Sequence, residues 1–204
     1  MSETIIGIVL AAGSSSRMGQ AKQLLPLQNT TLLEYCLTNM QKSKVSKVIC
    51  VLGANAEEIQ RSVKDERTAF LINSEWENGM SSSIVAAINY IKGHEPSCNA
   101  ALIALADQPG IDSDYFNRLM EMYQSNPEDI IASQYQNKIG VPALFSNQYF
   151  KDLLQLTGDK GARNFLNDGQ QKIRTLANTS NLSDLDTPEQ YQAYLKSIRK
   201  ESSL

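Results

Sequence analysis

The stretch IIGIVLAAGSSSRMGQAKQLLPL, residues 5–27, decides how the chain is read. An apolar run over residues 5–12 stops at Gly13 and gives way to a Gly- and Ser-rich segment, with Arg17 inside it and Lys22 just beyond Gly19. This is the pattern of a buried strand that empties into a loop of hydrogen-bond donors carrying two cations. Small residues let backbone N–H groups curl around an anion, and the hydroxyls of Ser14, Ser15 and Ser16 add donors. A loop at the carboxyl end of a strand is where open α/β sheets hold ligands, so the expected guest is a polyphosphate. The same composition also suits an ordinary strand-to-helix connector. Neither a Gly-x4-Gly-Lys-Ser/Thr motif nor a Gly-x-Gly-x-x-Gly motif follows the strand, which excludes a Walker loop and weakens a dinucleotide reading.

Bulk properties narrow the alternatives. A chain of 204 residues suits a single domain over residues 1–204. Its 42% hydrophobic and 20% charged content is ordinary for a globular protein, and a net charge of −3 argues against nucleic acid as a partner. No apolar stretch is long enough to span a bilayer and no basic leader precedes the first strand, so no membrane partner and a cytoplasmic location are expected. Cys36, Cys50 and Cys98 are widely spaced and predict core packing rather than a zinc site or disulfides. The one histidine, His94, falls in a predicted surface turn. Chemistry here must therefore run on carboxylates, cations and a bound metal.

Along the chain, short β runs alternate with helical windows. Strands are predicted at residues 47–53, 69–72 and 100–106, and helices at 32–40, 56–63, 80–91 and 113–123, the last capped by Ser113. Residues 129–134 and 141–145 read as extended, 146–156 and 162–166 as helical, and 172–176 as a last strand. A closing helix at 188–198 has Thr187 as N-cap and Pro188 at its first position. Such alternation predicts an α/β fold of three layers, α/β/α, around a mostly parallel sheet, with a mixed section in the less regular second half.

Asp107 ends the strand at 100–106, so its carboxylate leaves the same sheet edge as the glycine loop. One or two carboxylates plus substrate phosphates are a common setting for Mg²⁺, although an aspartate before Gln-Pro-Gly also suits a turn. Asp186 precedes a helix start, where it reads as a cap or, if near the loop, as a second metal ligand. The segment NGMSSS, residues 78–83, offers backbone donors and hydroxyls at a helix start. Residues 157–163 place Asp159, Lys160 and Arg163 in a loop that reads as a lid or a solvated turn. A phosphate nucleophile is already ionised at neutral pH, so this inventory suits phosphate-centred transfer.

At these residues the chain resembles a known family. LAAGSSSRMGQAKQLL (10–25) resembles the signature of nucleotidyltransferases with the glycosyltransferase-A-like fold. NGMSSS (78–83), LADQP (105–109), GVPALF (140–145), GDKGAR (158–163) and DTP (186–188) extend the resemblance to the MobA-like NTP transferases, especially molybdenum cofactor cytidylyltransferases. The resemblance implies transfer of a nucleotidyl group to the terminal phosphate of molybdopterin, with release of pyrophosphate. It implies nucleotide contacts from Leu10, Ala11, Ala12, Gly13, Ser14, Ser15, Arg17, Met18, Gly19, Lys22, Gly79, Ser82 and Asp107. Arg17, Lys22 and Asp107 are the implied catalytic group, and Asp107 and Asp186 the ligands of Mg²⁺, with Mn²⁺ an alternative. Pro142, Asp159 and Arg163 fall on the acceptor or lid side. The N-terminal half is thus expected to bind nucleotide and the C-terminal half the phosphorylated acceptor.

Ala11-Ala12-Gly13 resembles the cytidylyl-transferring members, and a methyl at Ala12 narrows the base pocket against a purine, which favours CTP. Three further readings stay open. They are a sugar- or polyol-phosphate acceptor, guanylyl transfer, and a nucleotide-binding accessory protein that serves a molybdenum enzyme or its chaperone.

Overall fold

The computed structural model describes residues 3–63, 65–136, 138–177 and 183–201. Strand β1 (Thr4–Ala11) leads through a short hairpin, β2 (Pro26–Leu27) and β3 (Thr30–Thr31), into α1 (Leu32–Lys42) and β4 (Lys47–Leu52). There follow α2 (Ala56–Ser62), β5 (Thr68–Ile72), α3 (Met80–His94) and β6 (Cys98–Leu105). The second half holds α4 (Ser113–Ser125), β7 (Ile130–Tyr135), β8 (Lys138–Ser146), α5 (Phe150–Leu153), α6 (Arg163–Asn167), β9 (Ile173–Ala177) and α7 (Pro188–Glu201).

Seven strands form one sheet in the order β5-β4-β1-β6-β8-β7-β9. The four strands of the first half run parallel, β8 is antiparallel to both β6 and β7, and β9 is parallel to β7. The mostly parallel, mixed sheet expected from the sequence is therefore present. β1 lies inside the sheet, between β4 and the central β6, and is buried on both faces, as parallel strands usually are. Its alternate residues feed two cores. Ile5, Val9 and Ala11 pack with α1, α2 and α4, while Ile6, Ile8 and Leu10 pack with α3, α5 and α6.

A third, smaller cluster matters more for the site. Met18, Leu25, Leu27, Leu32 and Cys36 close on Leu185 and Tyr191, which ties α7 back to the loop after β1. Several local expectations are corrected. Asp112, not Ser113, caps α4, because its carboxylate accepts the Tyr115 N–H at 2.8 Å. Ser146 ends β8 rather than opening a helix, and only Phe150–Leu153 of the region expected to be helical forms α-helix. His94 is the last residue of α3, stacked on Tyr90, rather than part of a turn. The β2–β3 hairpin was not legible in so short a stretch. All three cysteines are free and buried, as predicted. Among the described residues no helix is long and apolar enough to cross a membrane.

Candidate active site

The parallel register brings the chemistry together. Leu10 pairs with Leu105, so the loop after β1 and the turn after β6 leave the sheet side by side. The Ala106 N–H donates to the Leu10 carbonyl at 3.0 Å, and the Leu185 N–H donates to the Asp107 carbonyl at 2.9 Å. That second bond carries Asp184 and Asp186 to the same carboxyl edge.

The glycine loop is held, not loose. Two 3₁₀ turns, Ser16–Met18 and Lys22–Leu24, shape it, and Ser15 and Gly19 take the left-handed conformation. Gln23 is only 2% exposed and donates to the carbonyls of Ala11 (2.8 Å) and Gly13 (3.1 Å). The Ser15 hydroxyl donates to the Gln23 side-chain oxygen at 3.2 Å and accepts the Lys22 N–H at 3.1 Å. Met18 anchors the loop in the third apolar cluster.

A cavity of about 410 Å³ opens above this edge. Of the residues expected on the nucleotide side, Leu10, Ala11, Ala12, Gly13, Ser14, Arg17, Lys22, Gly79 and Asp107 line it, together with Asp159 and Asp186. Ser15, Met18, Gly19 and Ser82 are not in its wall. The Ser82 hydroxyl donates to the Gly79 carbonyl and accepts from Asn73, both at 2.8 Å. A second cavity of about 380 Å³ continues from the first and shares Leu10, Met80, Leu105, Asp159 and Asp184 with it. Arg163 lines this second lobe, with Gln108, Tyr135, Lys138 and Lys160. Pro142 is buried behind it, and its carbonyl accepts the Ser133 hydroxyl at 2.7 Å.

The 157–163 loop is docked onto the start of α3. The Ser81 N–H donates to the Gly158 carbonyl at 3.1 Å, and Asp159 lies directly against Gly79. Gly79 has φ +94 and ψ 177, a conformation open almost only to glycine. Gly53 performs a similar service at the other wall. A Cβ there would lie 2.5 Å from the Trp76 Cβ and 2.8 Å from the Ala12 carbonyl, so its absence lets Trp76 close on the loop.

The charges form one interlocked set. The Lys22 ammonium binds Asp107 Oδ2 and, at 3.0 Å, Asp186 Oδ1, while Arg17 reaches Asp186 Oδ2 at 2.8 Å. Burial lowers the Lys22 pKa, but the two aspartates outweigh it and hold the ammonium above the usual lysine value. Burial likewise raises Asp186, and Lys22 and Arg17 more than offset it, so this carboxyl lies below its ordinary value. Asp107 Oδ1 is buried and has no hydrogen-bond partner among the described residues. A spare carboxylate oxygen beside a phosphate-sized space fits a hard divalent cation shared with substrate phosphates. Asp107 and Asp186 would be the residues to hold it, and it would supply charge neutralisation at a substrate phosphate. No three His, Cys, Asp or Glu side chains among the described residues converge to hold an ion alone.

Ser83, from the 78–83 segment expected to offer hydroxyls, also lines the first lobe, whereas Gln23, Trp76, Glu77 and Asp184 in that lobe and Gln108 and Tyr135 in the second carry no role in the sequence reading. Asp184 carried a usable signal, because residues i and i+2 of an extended segment point to one side, and Asp186 was already singled out. Gln108 donates to Asp184 at 2.8 Å and to the Tyr135 hydroxyl at 2.9 Å, and Tyr135 donates in turn to the Val141 carbonyl. Nothing in the order of residues announces that chain of contacts.

An interior parallel strand, a Gly- and Ser-rich loop at its carboxyl end and a cation–carboxylate set beside it make the layout of a nucleotidyltransferase with the nucleotide-diphospho-sugar transferase fold. The chain belongs to the MobA-like NTP transferase domain family, whose model matches residues 7–175. It is 30% identical over 202 residues to the purine catabolism protein PucB of Bacillus subtilis, covering 92% of this chain and 94% of that one. Nicotine blue oxidoreductase of Paenarthrobacter nicotinovorans is also 30% identical, with 91% and 94% covered. The molybdenum cofactor cytidylyltransferase of Escherichia coli is 24% identical, with 90% and 92% covered. Among solved structures, the manganese complex of Rv0371c from Mycobacterium tuberculosis superimposes with a TM-score of 0.82 at 27% identity, covering 95% of this chain and 99% of that one.

Proposed function

We propose that the chain is a divalent-metal-dependent cytidylyltransferase that moves CMP from CTP to the terminal phosphate of a molybdopterin-type cofactor, releasing pyrophosphate. The observation that carries this reading is the two-lobed cleft whose lobes meet at Leu105, Asp159 and Asp184, with Lys22 and Asp107 in the wall of the first. The first lobe offers the loop backbone, Arg17 and Lys22 to a triphosphate. The second offers Tyr135 and an apolar wall to a flat ring, with Lys138, Lys160 and Arg163 as cations for an acceptor phosphate. The N-terminal half then binds the nucleotide and the C-terminal half the acceptor, except that Asp159, Asp184 and Asp186 of the second half also line the first lobe. Cytosine is favoured by the Ala12 methyl and by the cytidylyltransferase relative, and Mg²⁺ or Mn²⁺ by the spare Asp107 oxygen and the manganese-bound neighbour. A molybdenum enzyme or its chaperone would be the natural recipient of the product.

Chemically, the acceptor phosphate oxygen attacks the α-phosphorus of CTP and pyrophosphate leaves. Lys22 and Arg17 neutralise charge on the triphosphate, and the loop N–H groups fix its position. The test is pyrophosphate release with each of the four NTPs, with and without molybdenum-loaded molybdopterin. Turnover with CTP and that acceptor is expected. Release only with a sugar or polyol phosphate would replace the acceptor, and release only with GTP would replace the base. Nucleotide binding with no turnover on any acceptor would favour the accessory role.

A further inference from the structure

The place a divalent cation would take between Asp107 and Asp186 is filled by a side chain of the protein itself. Lys22 Nζ binds Asp107 Oδ2 and, at 3.0 Å, Asp186 Oδ1, and Arg17 binds the other Asp186 oxygen at 2.8 Å. Three of the four carboxylate oxygens are thus held by cations. The fourth, Asp107 Oδ1, is buried without a partner among the described residues. Lys22 and Asp107 are only 16% and 14% exposed, so water screens this contact weakly.

We infer that Lys22 is an internal counter-ion that competes with the divalent cation for Asp107 and Asp186, so the metal ion and the triphosphate bind tightly only together. This rests on the reading of the cleft as a metal–nucleoside triphosphate site. A divalent ion arriving alone must displace the ammonium and then sit beside it, two like charges a few ångströms apart. A triphosphate offers the ammonium another anion. The exchange needs no backbone movement, because the Lys22 N–H stays fixed to Ser15 Oγ at 3.1 Å while four side-chain torsions carry Nζ across. Arg17, 68% exposed, is free to swing with it. Lys22 is then a positioning residue in the empty cleft and a phosphate ligand in the filled one. The protein thereby resists loading with free metal and takes up metal with its nucleotide.

The experiment titrates Mn²⁺ into the full chain and reads free Mn²⁺ by electron paramagnetic resonance, with and without the unreactive α,β-methylene analogue of CTP. Wild type is expected to bind Mn²⁺ alone weakly. Lys22→Met should bind Mn²⁺ alone at least about tenfold more tightly, within the usual range of site-to-site coupling. Arg17→Met should give a smaller gain, since Arg17 holds one oxygen from an exposed position. Lys44→Met controls for general charge, since Lys44 pairs with Glu121 and precedes β4 at the opposite sheet edge, and should change nothing. In a parallel thermal melt, Mn²⁺ should raise the melting temperature of Lys22→Met more than that of wild type. Lys22→Gln replaces the methionine variant if circular dichroism shows the latter unfolded. Equal Mn²⁺ affinity in wild type and both Lys22 variants, or a gain no larger than that of Lys44→Met, overturns the competition and leaves the metal–nucleotide reading standing. No Mn²⁺ binding by any form, even with the analogue, overturns both.

Discussion

Gly79→Ala is the substitution whose effect follows most directly from geometry. Gly79 sits at φ +94 and ψ 177 between a 3₁₀ turn and α3. Holding an L-residue in that region costs about 1–3 kcal/mol. The added methyl would also strike Asp159 and lie 2.7 Å from the Gly158 carbonyl. Asp159 is exposed and can rotate away, but the Gly158 carbonyl is backbone and accepts the Ser81 N–H at 3.1 Å. Relieving the clash therefore gives up that hydrogen bond, a loss of about 0.5–1.5 kcal/mol. Together the two effects come to about 1.5–4.5 kcal/mol.

Gly93, in the last turn of the same helix, gives the opposite sign. Nothing lies within 4 Å of a Cβ placed there, and its φ is not positive. Gly93→Ala should therefore stabilise the protein by about 0.5–1 kcal/mol through reduced chain entropy. Urea unfolding of the two variants and wild type measures both numbers. Limited trypsin digestion reads the loop separately, because Lys160 and Arg163 are exposed and release of residues 157–163 frees the backbone beside them to enter the protease. A loss below about 1 kcal/mol in Gly79→Ala, or equal trypsin resistance in wild type and variant, would refute the docked-loop reasoning.

Two further outcomes are expected. Gln23→Leu strands the carbonyls of Ala11 and Gly13 and the Ser15 hydroxyl, which should lower stability by about 1–3 kcal/mol and weaken CTP-analogue binding in calorimetry; unchanged affinity would deny the loop its prearranged shape. Asp129, clamped by Lys172 at 2.8 Å and Arg174 at 2.5 Å, has its pKa held below the ordinary 3.8, first by the Lys172 hydrogen bond. Its contribution is thus present above pH 3.8 and lost as pH falls through the lowered value, so Asp129→Asn should lower the melting temperature at pH 7 and converge on wild type in acid.

The first half of the fold was legible because local signals agreed with one another. The β-branched run at 47–52 and the continuous apolar run at 100–105 sit on strands buried on both faces, and the Gly- and Ser-rich turn marks the sheet's ligand-facing edge. The second half was harder because its elements depend on distant partners. β8 pairs antiparallel with β6, about forty residues back in the sequence, and its length is set by that pairing rather than by its own composition. Asp107 could be placed at the edge from its strand alone. Asp186 could not, since its position rests on contacts of Leu185 and Tyr191 with residues near the N-terminus. Gln23 reads as one more polar loop residue, and only its 2% exposure identifies it as the strut of the loop.

That dependence on the third apolar cluster explains how cations and carboxylates so far apart in sequence keep a fixed geometry. Mutual attraction is a weak candidate: burying the Lys22–Asp107 pair costs desolvation that offsets its attraction. The Arg17–Asp186 pair is largely exposed on the arginine side, and such pairs contribute about 0–1 kcal/mol. Met18 and Leu185, by contrast, are 9% and 2% exposed, and burying a side chain of this kind contributes about 1.5–3 kcal/mol. Met18 lies one residue from Arg17, and Leu185 lies between Asp184 and Asp186. The same cluster that buries them also takes Leu27 and Tyr191, so the loop and α7 dock as one unit. Packing therefore sets where the charges stand, which leaves the ion pairs free to break and re-form around a triphosphate without loss of the fold.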